Sequence, residues 1–135
     1  MADTVLFLCP HNAAKSVIAV AYFRRLAAEA GLGMVADSAG TDPDPAVWPS
    51  VIELLRRDGL EADDREPRHL THGDLGRARI VVSMGCDLPD GVPLPAVQQW
   101  DDLPLASEDL CAARDAIKVR VEALVAQLRR AAPGT

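Results

Sequence analysis

The residues of this chain that could carry chemistry begin at a cysteine that ends an apolar run. The run Val5–Leu8 leads into Cys9 and a loop of small and polar residues, and a helix is expected to begin at Lys15 and Ser16. The first backbone N–H groups of a helix have no partners inside the helix and carry partial positive charge. Helix N-termini and nearby cations favour the thiolate form of a cysteine, so the pattern predicts a nucleophile that faces an oxyanion. The alternative is a buried structural cysteine at the end of a core strand.

Five short segments, taken in chain order, carry a resemblance to a known family. The loop Cys9–Ser16 is similar to the signature Cys-X5-Arg-Ser of the low-molecular-weight tyrosine phosphatases and of their relatives, the thiol-dependent arsenate reductases. The resemblance implies a flavodoxin-like fold and thiol chemistry on arsenate, phosphate or a phosphomonoester. The other four segments are Ser38–Thr41, Pro67–Thr71, Val81–Cys86 and Trp100–Asp102.

The resemblance also implies a role for the residues of the loop. Cys9 is the nucleophile, Lys15 stands where the family has arginine and holds the oxyanion, and Ser16 donates its hydroxyl to the thiolate. Asn12 is expected to hold the loop in shape through its side chain. The implied oxyanion-binding residues are Pro10, His11, Asn12, Ala13, Ala14, Lys15 and Ser16, with the backbone N–H groups of Ala13, Ala14 and Lys15 surrounding the anion.

Two residues of this loop depart from the family pattern. A guanidinium grips two oxygens of a tetrahedral oxyanion in a planar fork, whereas the ammonium of Lys15 is a compact point charge. Lys15 is therefore expected to preserve anion binding better than it preserves the positioning of a transition state. His11 replaces a glycine, and His and Asn are among the residues that best tolerate a positive φ. His11 either brings a titratable group beside the anion or only fills a loop position.

Cys86 is the candidate for a second thiol that resolves a covalent adduct on Cys9. The sequence around Cys86 resembles the arsenate reductase branch of the family. The branch that passes electrons through internal cysteines has a further cysteine, but residues 87–92 contain none, Ala14 replaces a second loop cysteine, and Cys111 is expected to be a half-buried structural thiol. The expected reductant is therefore an external thiol of the glutathione, mycothiol or thioredoxin type, with no bound cofactor.

A general acid is expected in the loop after Trp100. In the phosphatases of this family, an aspartate directly before a proline protonates the departing oxygen. The loop here has no Asp-Pro pair, so Asp102 is the first candidate and Asp101 the second. Both carboxylates could instead cap a turn or be solvated.

Three functions are open at this point. The sequence favours an arsenate reductase-like enzyme with a cysteine nucleophile over a low-molecular-weight phosphatase that hydrolyses phosphomonoesters. A non-catalytic protein that binds phosphate or arsenate is the third, and it is favoured by Lys15 and by the missing Asp-Pro pair.

Composition excludes several other classes. The chain has 135 residues, of which 49% are hydrophobic and 25% charged, as in a single globular domain that spans 1–135. A net charge of -6 argues against nucleic-acid binding. No stretch reaches the ~20 apolar residues of a membrane span and the N-terminus lacks the basic start of a secretory signal, so a cytoplasmic protein is expected. The cysteines and histidines form neither a disulfide framework nor a metal-ligand pattern.

The elements that must position these residues alternate between strands and helices. Strands are predicted over 5–8, 34–38, 80–84 and 96–100, and helices over 13–30, from 46 or 49 to 58, over 71–78 and from Ser107 onward, with a loop over 61–70 and a tail over 131–135. The hydroxyl of Ser107 is expected to cap the last helix, whose predicted apolar face consists of Leu110, Ala113, Ile117, Val121, Leu124 and Leu128. This alternation indicates a doubly wound, flavodoxin-like α/β fold, with a four-stranded parallel sheet and helices on both faces. Sites in such folds lie at the carboxyl ends of strands, where Cys9, Ser38, Gly85 and the Trp100–Asp102 turn are predicted.

Overall fold

The computed structural model describes residues 3–62, 66–88 and 96–131. The strands are β1 (Thr4–Leu8), β2 (Val35–Ala39), β3 (Ala78–Ser83) and β4 (Ala96–Gln99), and the helices are α1 (Lys15–Glu29), α2 (Pro49–Arg57), α3 (His72–Arg77) and α4 (Leu110–Ala131). They follow one another in the order β1-α1-β2-α2-α3-β3-β4-α4. The predicted alternation of strands and helices is confirmed.

All strands of the sheet are parallel and lie in the order β2-β1-β3-β4. β1 is therefore an inner strand, hydrogen-bonded to β2 on one edge and to β3 on the other. Its continuous apolar sequence follows from this position, because helices cover both faces of a parallel sheet. The flavodoxin-like, doubly wound fold is confirmed, and Cys9 follows the carboxyl end of an inner strand.

Successive residues of β1 point to opposite faces of the sheet and belong to two apolar clusters. Phe7 packs with residues of α1, α2 and α4, and its ring lies 5.8 Å from that of Phe23 on α1. Leu6 and Leu8 pack with residues around α3 on the other face. Cys9 continues the alternation and belongs to the cluster that contains α1.

A polar cluster ties the middle of α1 to the end of α2 and to α4. The Tyr22 hydroxyl donates to Asp58 Oδ2 at 2.5 Å, and Arg114 Nη1 donates to both carboxylate oxygens of Asp58 at 2.9 and 2.8 Å. Burial, together with the hydrogen bond and the charge of Asp58, raises the pKa of Tyr22 to about 12. Burial acts to raise the pKa of Asp58, but the hydrogen bonds from Tyr22 and Arg114 lower it. This cluster fixes the helix whose first turn faces Cys9.

The start of α4 differs from the prediction. The helix begins at Leu110, and the side chain of Asp109 rather than Ser107 caps it, because the Ala112 N–H donates to Asp109 Oδ1 at 3.0 Å. The prediction of Ser107 as the cap is wrong for a local reason. The Asp109 N–H donates to the carbonyl of Leu105 at 3.0 Å, which closes a turn around Ser107 before the helix starts.

The apolar face of α4 is confirmed, but the expected environment of Cys111 is wrong. Ala113, Ile117, Val121 and Leu124 are buried at the predicted spacing. Cys111 is exposed rather than half-buried. Adjacent residues of a helix point ~100° apart. Cys111 therefore faces solvent although its neighbour Leu110 is partly buried.

Other boundaries move by one or two residues. α1 begins at Lys15 rather than 13, and β3 begins at Ala78 rather than 80, directly after α3. Thr71 and Asp74 form a capping box that sets the start of α3. The predicted loop 61–70 and the tail 131–135 lie partly outside the described residues. Within the described ranges, no helix has the length and apolarity needed to cross a membrane.

Candidate active site

The Cys9 side chain lies against the first turn of α1. It is buried, its Sγ atom accepts a hydrogen bond from the backbone N–H of Ser16 at 3.4 Å, and a second hydrogen bond of 3.0 Å joins it to Ser16 Oγ. A backbone N–H at a helix N-terminus and a hydroxyl both stabilise a negative charge on sulfur. The structure therefore gives the Cys9 sulfur the two polar neighbours that a thiolate nucleophile needs.

The N-terminus of α1 has no side-chain cap. Ala14 occupies the N-cap position and makes no side-chain cap hydrogen bond, and the first turn contains no acidic residue. Within the described residues, the backbone N–H groups of Ala13, Ala14 and Lys15 have no acceptor. The positive end of the helix is thus left to act on Cys9 and on an anion beside it. Lys15 is the first residue of the helix and is partly buried.

Asn12 holds the loop through its side chain. Its Nδ2 donates to Ser16 Oγ at 2.8 Å, and its Oδ1 accepts from the backbone N–H of Arg68 at 3.0 Å. The Arg68 N–H can only donate, so it fixes which end of the Asn12 amide is oxygen. Ser16 Oγ then accepts from Asn12, which leaves its own proton for the thiolate of Cys9. We call these two hydrogen bonds, which lead from the Arg68 N–H through the Asn12 amide to Ser16 Oγ, the Asn12–Ser16 bridge.

The left-handed residue of the loop is Asn12, with a φ of 49°. His11, the residue that replaces the family's glycine, is not among the residues with positive φ. Asn is one of the few side chains that tolerate this conformation. The shape of the loop is therefore supplied by Asn12, and the replacement of glycine by His11 does not strain it.

His11 is directed towards the loop that follows β2. Its Nδ1 lies 2.9 Å from the carbonyl oxygen of Asp42 and 3.4 Å from Asp44 Oδ1, and the ring is about half exposed. The backbones of the two loops are also joined, because the Asp42 and Asp44 N–H groups donate to the carbonyls of Pro10 and His11 at 2.8 and 3.0 Å. His11 therefore helps to link two loops at the edge of the sheet.

Gly40 allows the same two loops to approach closely. A Cβ atom at this position would lie 2.5 Å from the carbonyl oxygen of Pro10 and 2.9 Å from that of Cys9. Carbon and oxygen atoms that are not bonded do not approach so closely. The Ser38–Thr41 segment thus supports the loop from behind, and only glycine fits at position 40.

Cys86 is buried and close enough to Cys9 for the two to interact electrostatically. Burial, followed by the negative charge of Cys9, raises the pKa of the Cys86 thiol to about 11, against the opposing effects of hydrogen bonding with Thr41 and the charge of Lys15. The Cys86 backbone is fixed by Ser83, whose Oγ accepts from its N–H at 3.2 Å. The two thiols predicted to cooperate are therefore brought to one region, with Cys86 held mainly as the neutral thiol.

Asp102 and Asp101 lie in the exposed turn after β4. The Asp102 side chain is 74% exposed and forms an ion pair with Arg120 on α4. Trp100, at the start of the turn, is buried and packs 6.0 Å from the Phe7 ring. In the part of the chain that the structure describes, neither carboxylate contacts the Cys9 loop, and no cluster of ligating side chains could hold a metal ion.

The sequence alone does not indicate the roles of Arg68 and Gly40. Both lie in segments that carried the family resemblance, yet their contacts with Asn12 and Pro10 join residues far apart in the chain. The signal available in the sequence was the Pro-Arg pair at 67–68 and the small residues at 39–40.

Comparisons with known proteins agree with this geometry. A family model described as low molecular weight phosphotyrosine protein phosphatase matches residues 4–99. A curated protein of Halobacterium salinarum, whose name places it among the arsenate reductases, is 29% identical over 82 residues, which are 59% of this chain and 58% of that protein. The chain thus matches little more than half the length of this curated relative.

Two solved structures are similar over nearly the whole chain. The arsenate reductase of Archaeoglobus fulgidus is 30% identical, with a TM-score of 0.77, over 90% of this chain and 98% of its own. The thioredoxin-dependent arsenate reductase of Corynebacterium glutamicum is 28% identical, with a TM-score of 0.76, over 95% of this chain and 62% of its own.

Proposed function

The chain belongs to the low molecular weight phosphotyrosine protein phosphatase family, and we propose that it acts as a thiol-dependent arsenate reductase. The observation that carries this proposal is the pair of hydrogen bonds between Ser16 and Cys9 Sγ at the uncapped start of α1. That geometry suits a thiolate that attacks a tetrahedral oxyanion. The similarity to arsenate reductases of known structure favours arsenate as the oxyanion.

The proposed reaction begins with attack by the Cys9 thiolate on arsenic. An S–As bond forms, an As–O bond breaks, and the departing oxygen leaves as water after protonation. The residues Pro10 to Ser16 surround the anion, with the ammonium of Lys15 and the first N–H groups of α1 facing its oxygens. A second thiol then attacks Cys9 Sγ. A disulfide forms, the electron pair of the S–As bond passes to arsenic, and arsenite is released.

We propose an external thiol of the glutathione, mycothiol or thioredoxin type as the partner in the second step. Cys86 is a candidate resolving thiol because of its closeness to Cys9, but a pKa of about 11 keeps it mostly protonated near neutral pH. A protonated thiol is a poor nucleophile. The relative from Corynebacterium glutamicum is described as thioredoxin-dependent, which agrees with an external reductant. Such chemistry needs reduced thiols, in agreement with the cytoplasmic location that the sequence predicts.

Hydrolysis of phosphomonoesters is the second candidate, favoured by the family match and by the exposed carboxylate of Asp102. In this case Cys9 attacks phosphorus, the P–O bond breaks, and Asp102 protonates the leaving oxygen. Water then hydrolyses the S–P bond. Asp102 would have to leave Arg120 in order to act, so Arg120→Met should release it and change the pH profile of phosphatase turnover.

The test compares arsenate reduction in the presence of each thiol with hydrolysis of an aryl phosphate. Cys9→Ser is the blank for both reactions, and Cys86→Ser separates internal from external resolution. Arsenite formation that requires Cys9 supports the proposal. Hydrolysis without arsenite formation would assign the chain to the phosphatases. Binding of phosphate by calorimetry, with neither turnover, would identify a non-catalytic binding protein.

A further inference from the structure

Arg68 lies outside the Cys9 loop but is connected to it through its backbone. Its N–H donates to Asn12 Oδ1 at 3.0 Å, and its carbonyl accepts from the Gly40 N–H at 2.9 Å. Asn12 Nδ2 donates to Ser16 Oγ at 2.8 Å, and Ser16 Oγ lies 3.0 Å from Cys9 Sγ. Three hydrogen bonds in series therefore lead from Arg68 to the nucleophile.

The Arg68 side chain is held by two carboxylates from different elements. Nη1 donates to Asp74 Oδ2 on α3 at 2.8 Å, and Nη2 donates to Asp37 Oδ2 on β2 at 3.0 Å. Burial acts to raise the pKa of Asp74, but hydrogen bonds from Arg68 and Thr71 lower it to about 2, so this carboxylate stays charged. Both ends of the guanidinium are thus anchored, which fixes the backbone of the residue that carries it.

The anchoring has a cost. Arg68 Nε is buried without an acceptor in the described part of the chain, and an unsatisfied buried donor is destabilising. The guanidinium is therefore held where two of its nitrogens are paired and the third is not. A buried donor without a partner is uncommon in native structures.

We propose that Arg68 is a positioning residue for the Cys9 nucleophile. Its paired side chain fixes the backbone N–H that orients the Asn12 amide, and that amide directs the Ser16 hydroxyl proton towards the sulfur. The inference rests on the proposed use of Cys9 as a nucleophile. It does not depend on the substrate, because thiolate reactivity is measured by alkylation without any turnover.

The test follows the alkylation of Cys9 by iodoacetamide as a function of pH, with the Cys9 peptide quantified by mass spectrometry. Arg68→Met should move the midpoint of the rate to higher pH, with a rate about three- to tenfold lower at a pH below the midpoint, which is the size of the net contribution of a typical hydrogen bond. Arg77→Met is the matched control, because Arg77 donates to the same Asp74 carboxylate at 2.9 Å but does not touch the Asn12–Ser16 bridge. An unchanged midpoint in a folded Arg68→Met protein would overturn the proposal.

Asp37→Asn separates positioning from a long-range effect of charge. Removal of an anion favours the thiolate by Coulomb's law alone, so the midpoint would fall. If Arg68 positions the nucleophile, the loss of its ion pair with Asp37 loosens the guanidinium and raises the midpoint of Cys9 alkylation instead. A rise supports the proposal, and a fall or no change contradicts it. This variant keeps the guanidinium and serves also where Arg68→Met does not fold.

A double-mutant cycle tests whether Arg68 acts through Asn12. Asn12→Gly removes the Asn12–Ser16 bridge and accepts a φ of 49° without strain. In that background Arg68→Met should leave the midpoint unchanged, because the connection is already broken. A shift as large as in the native sequence would show that Arg68 acts by another route.

Discussion

In the folded protein, Tyr22 should ionise at a pH well above that of an ordinary tyrosine. Its pKa is raised from 10.0 to about 12, and it is the single tyrosine of the sequence, so tyrosinate absorbance follows this group alone. The folded state holds the phenolic proton more tightly than the unfolded state does. The resulting stability is therefore complete below pH 10, declines as the pH rises, and is lost above pH 12. A shift of two units corresponds to about 2.7 kcal/mol.

The perturbation is Asp58→Asn, which keeps an oxygen acceptor for the Tyr22 hydroxyl and removes the charge. The tyrosinate midpoint should fall below 12 but remain above 10, because burial, the largest cause of the shift, persists. Arg114 loses its charged partner in this variant. Since hydrogen bonds between charged groups are worth about 1.5–3 kcal/mol, the free energy of unfolding in urea at neutral pH should decrease by about that amount.

Asp115→Asn is the matched control. Arg114 Nε donates to Asp115 Oδ1 at 2.6 Å, but the Asp115 side chain is 69% exposed. An exposed pair is worth about 0–1 kcal/mol, so this variant should leave the Tyr22 titration unchanged. Tyrosinate that appears near pH 10 while circular dichroism still reports the native fold would refute the reasoning, as would an equal shift in Asp58→Asn and Asp115→Asn.

Three further variants test the site and its support. Lys15→Arg should lower kcat/KM for arsenate and for an aryl phosphate, on the hypothesis that the loop, in which His11 and Lys15 both depart from the family pattern, is adjusted to a smaller cation. A gain of about tenfold, or 1.4 kcal/mol, would instead indicate a site weakened by the loss of arginine. Gly40→Ala should lower the free energy of unfolding by about 1–3 kcal/mol and slow the alkylation of Cys9. Gly33→Ala should do neither, because a Cβ atom at position 33 meets no atom within 4 Å. Because the pKa of Asp74 is lowered from 3.8 to about 2, its carboxylate stabilises the folded protein above pH 3.8, and this stability is lost as the pH falls towards 2. Asp74→Asn should therefore lower the free energy of unfolding above pH 3.8 by about 2 kcal/mol. Coinciding acid unfolding curves of the native protein and the variant would contradict this.

The sequence was sufficient to predict the fold and the place of Cys9. β1 is recognisable because an inner parallel strand is apolar along its whole length, and the helix that follows it is recognisable from its apolar spacing. Both signals lie within short stretches of sequence, so they can be recognised without knowledge of the rest of the structure. The doubly wound topology then places Cys9 and Trp100 at the same edge of the sheet.

Contacts between distant residues were not predictable in this way. The hydrogen bond from Arg68 to Asn12 joins residues 56 positions apart, and neither residue type in isolation indicates the other. The exposure of Cys111 and the cap at Asp109 depend on where α4 begins, and a shift of a few residues rotates every side chain to a new direction. Periodicity identifies an apolar stripe more securely than it identifies the first residue of a helix.

The missing cap of α1 links the stability of the fold to the anion that the site is built to hold. A conventional N-cap at Ala14 would be worth about 0.5–2 kcal/mol, and the chain forgoes it. An oxyanion at one hundred times its Kd would stabilise the folded state by about 2.7 kcal/mol. A bound anion can therefore supply the stabilisation that the absent N-cap does not. Serine or aspartate at position 14 would stabilise the free protein by accepting from the N–H groups of the first turn, but it would also place a polar or charged side chain beside the anion. At this position selection for a durable fold and selection for an active site act in opposite directions.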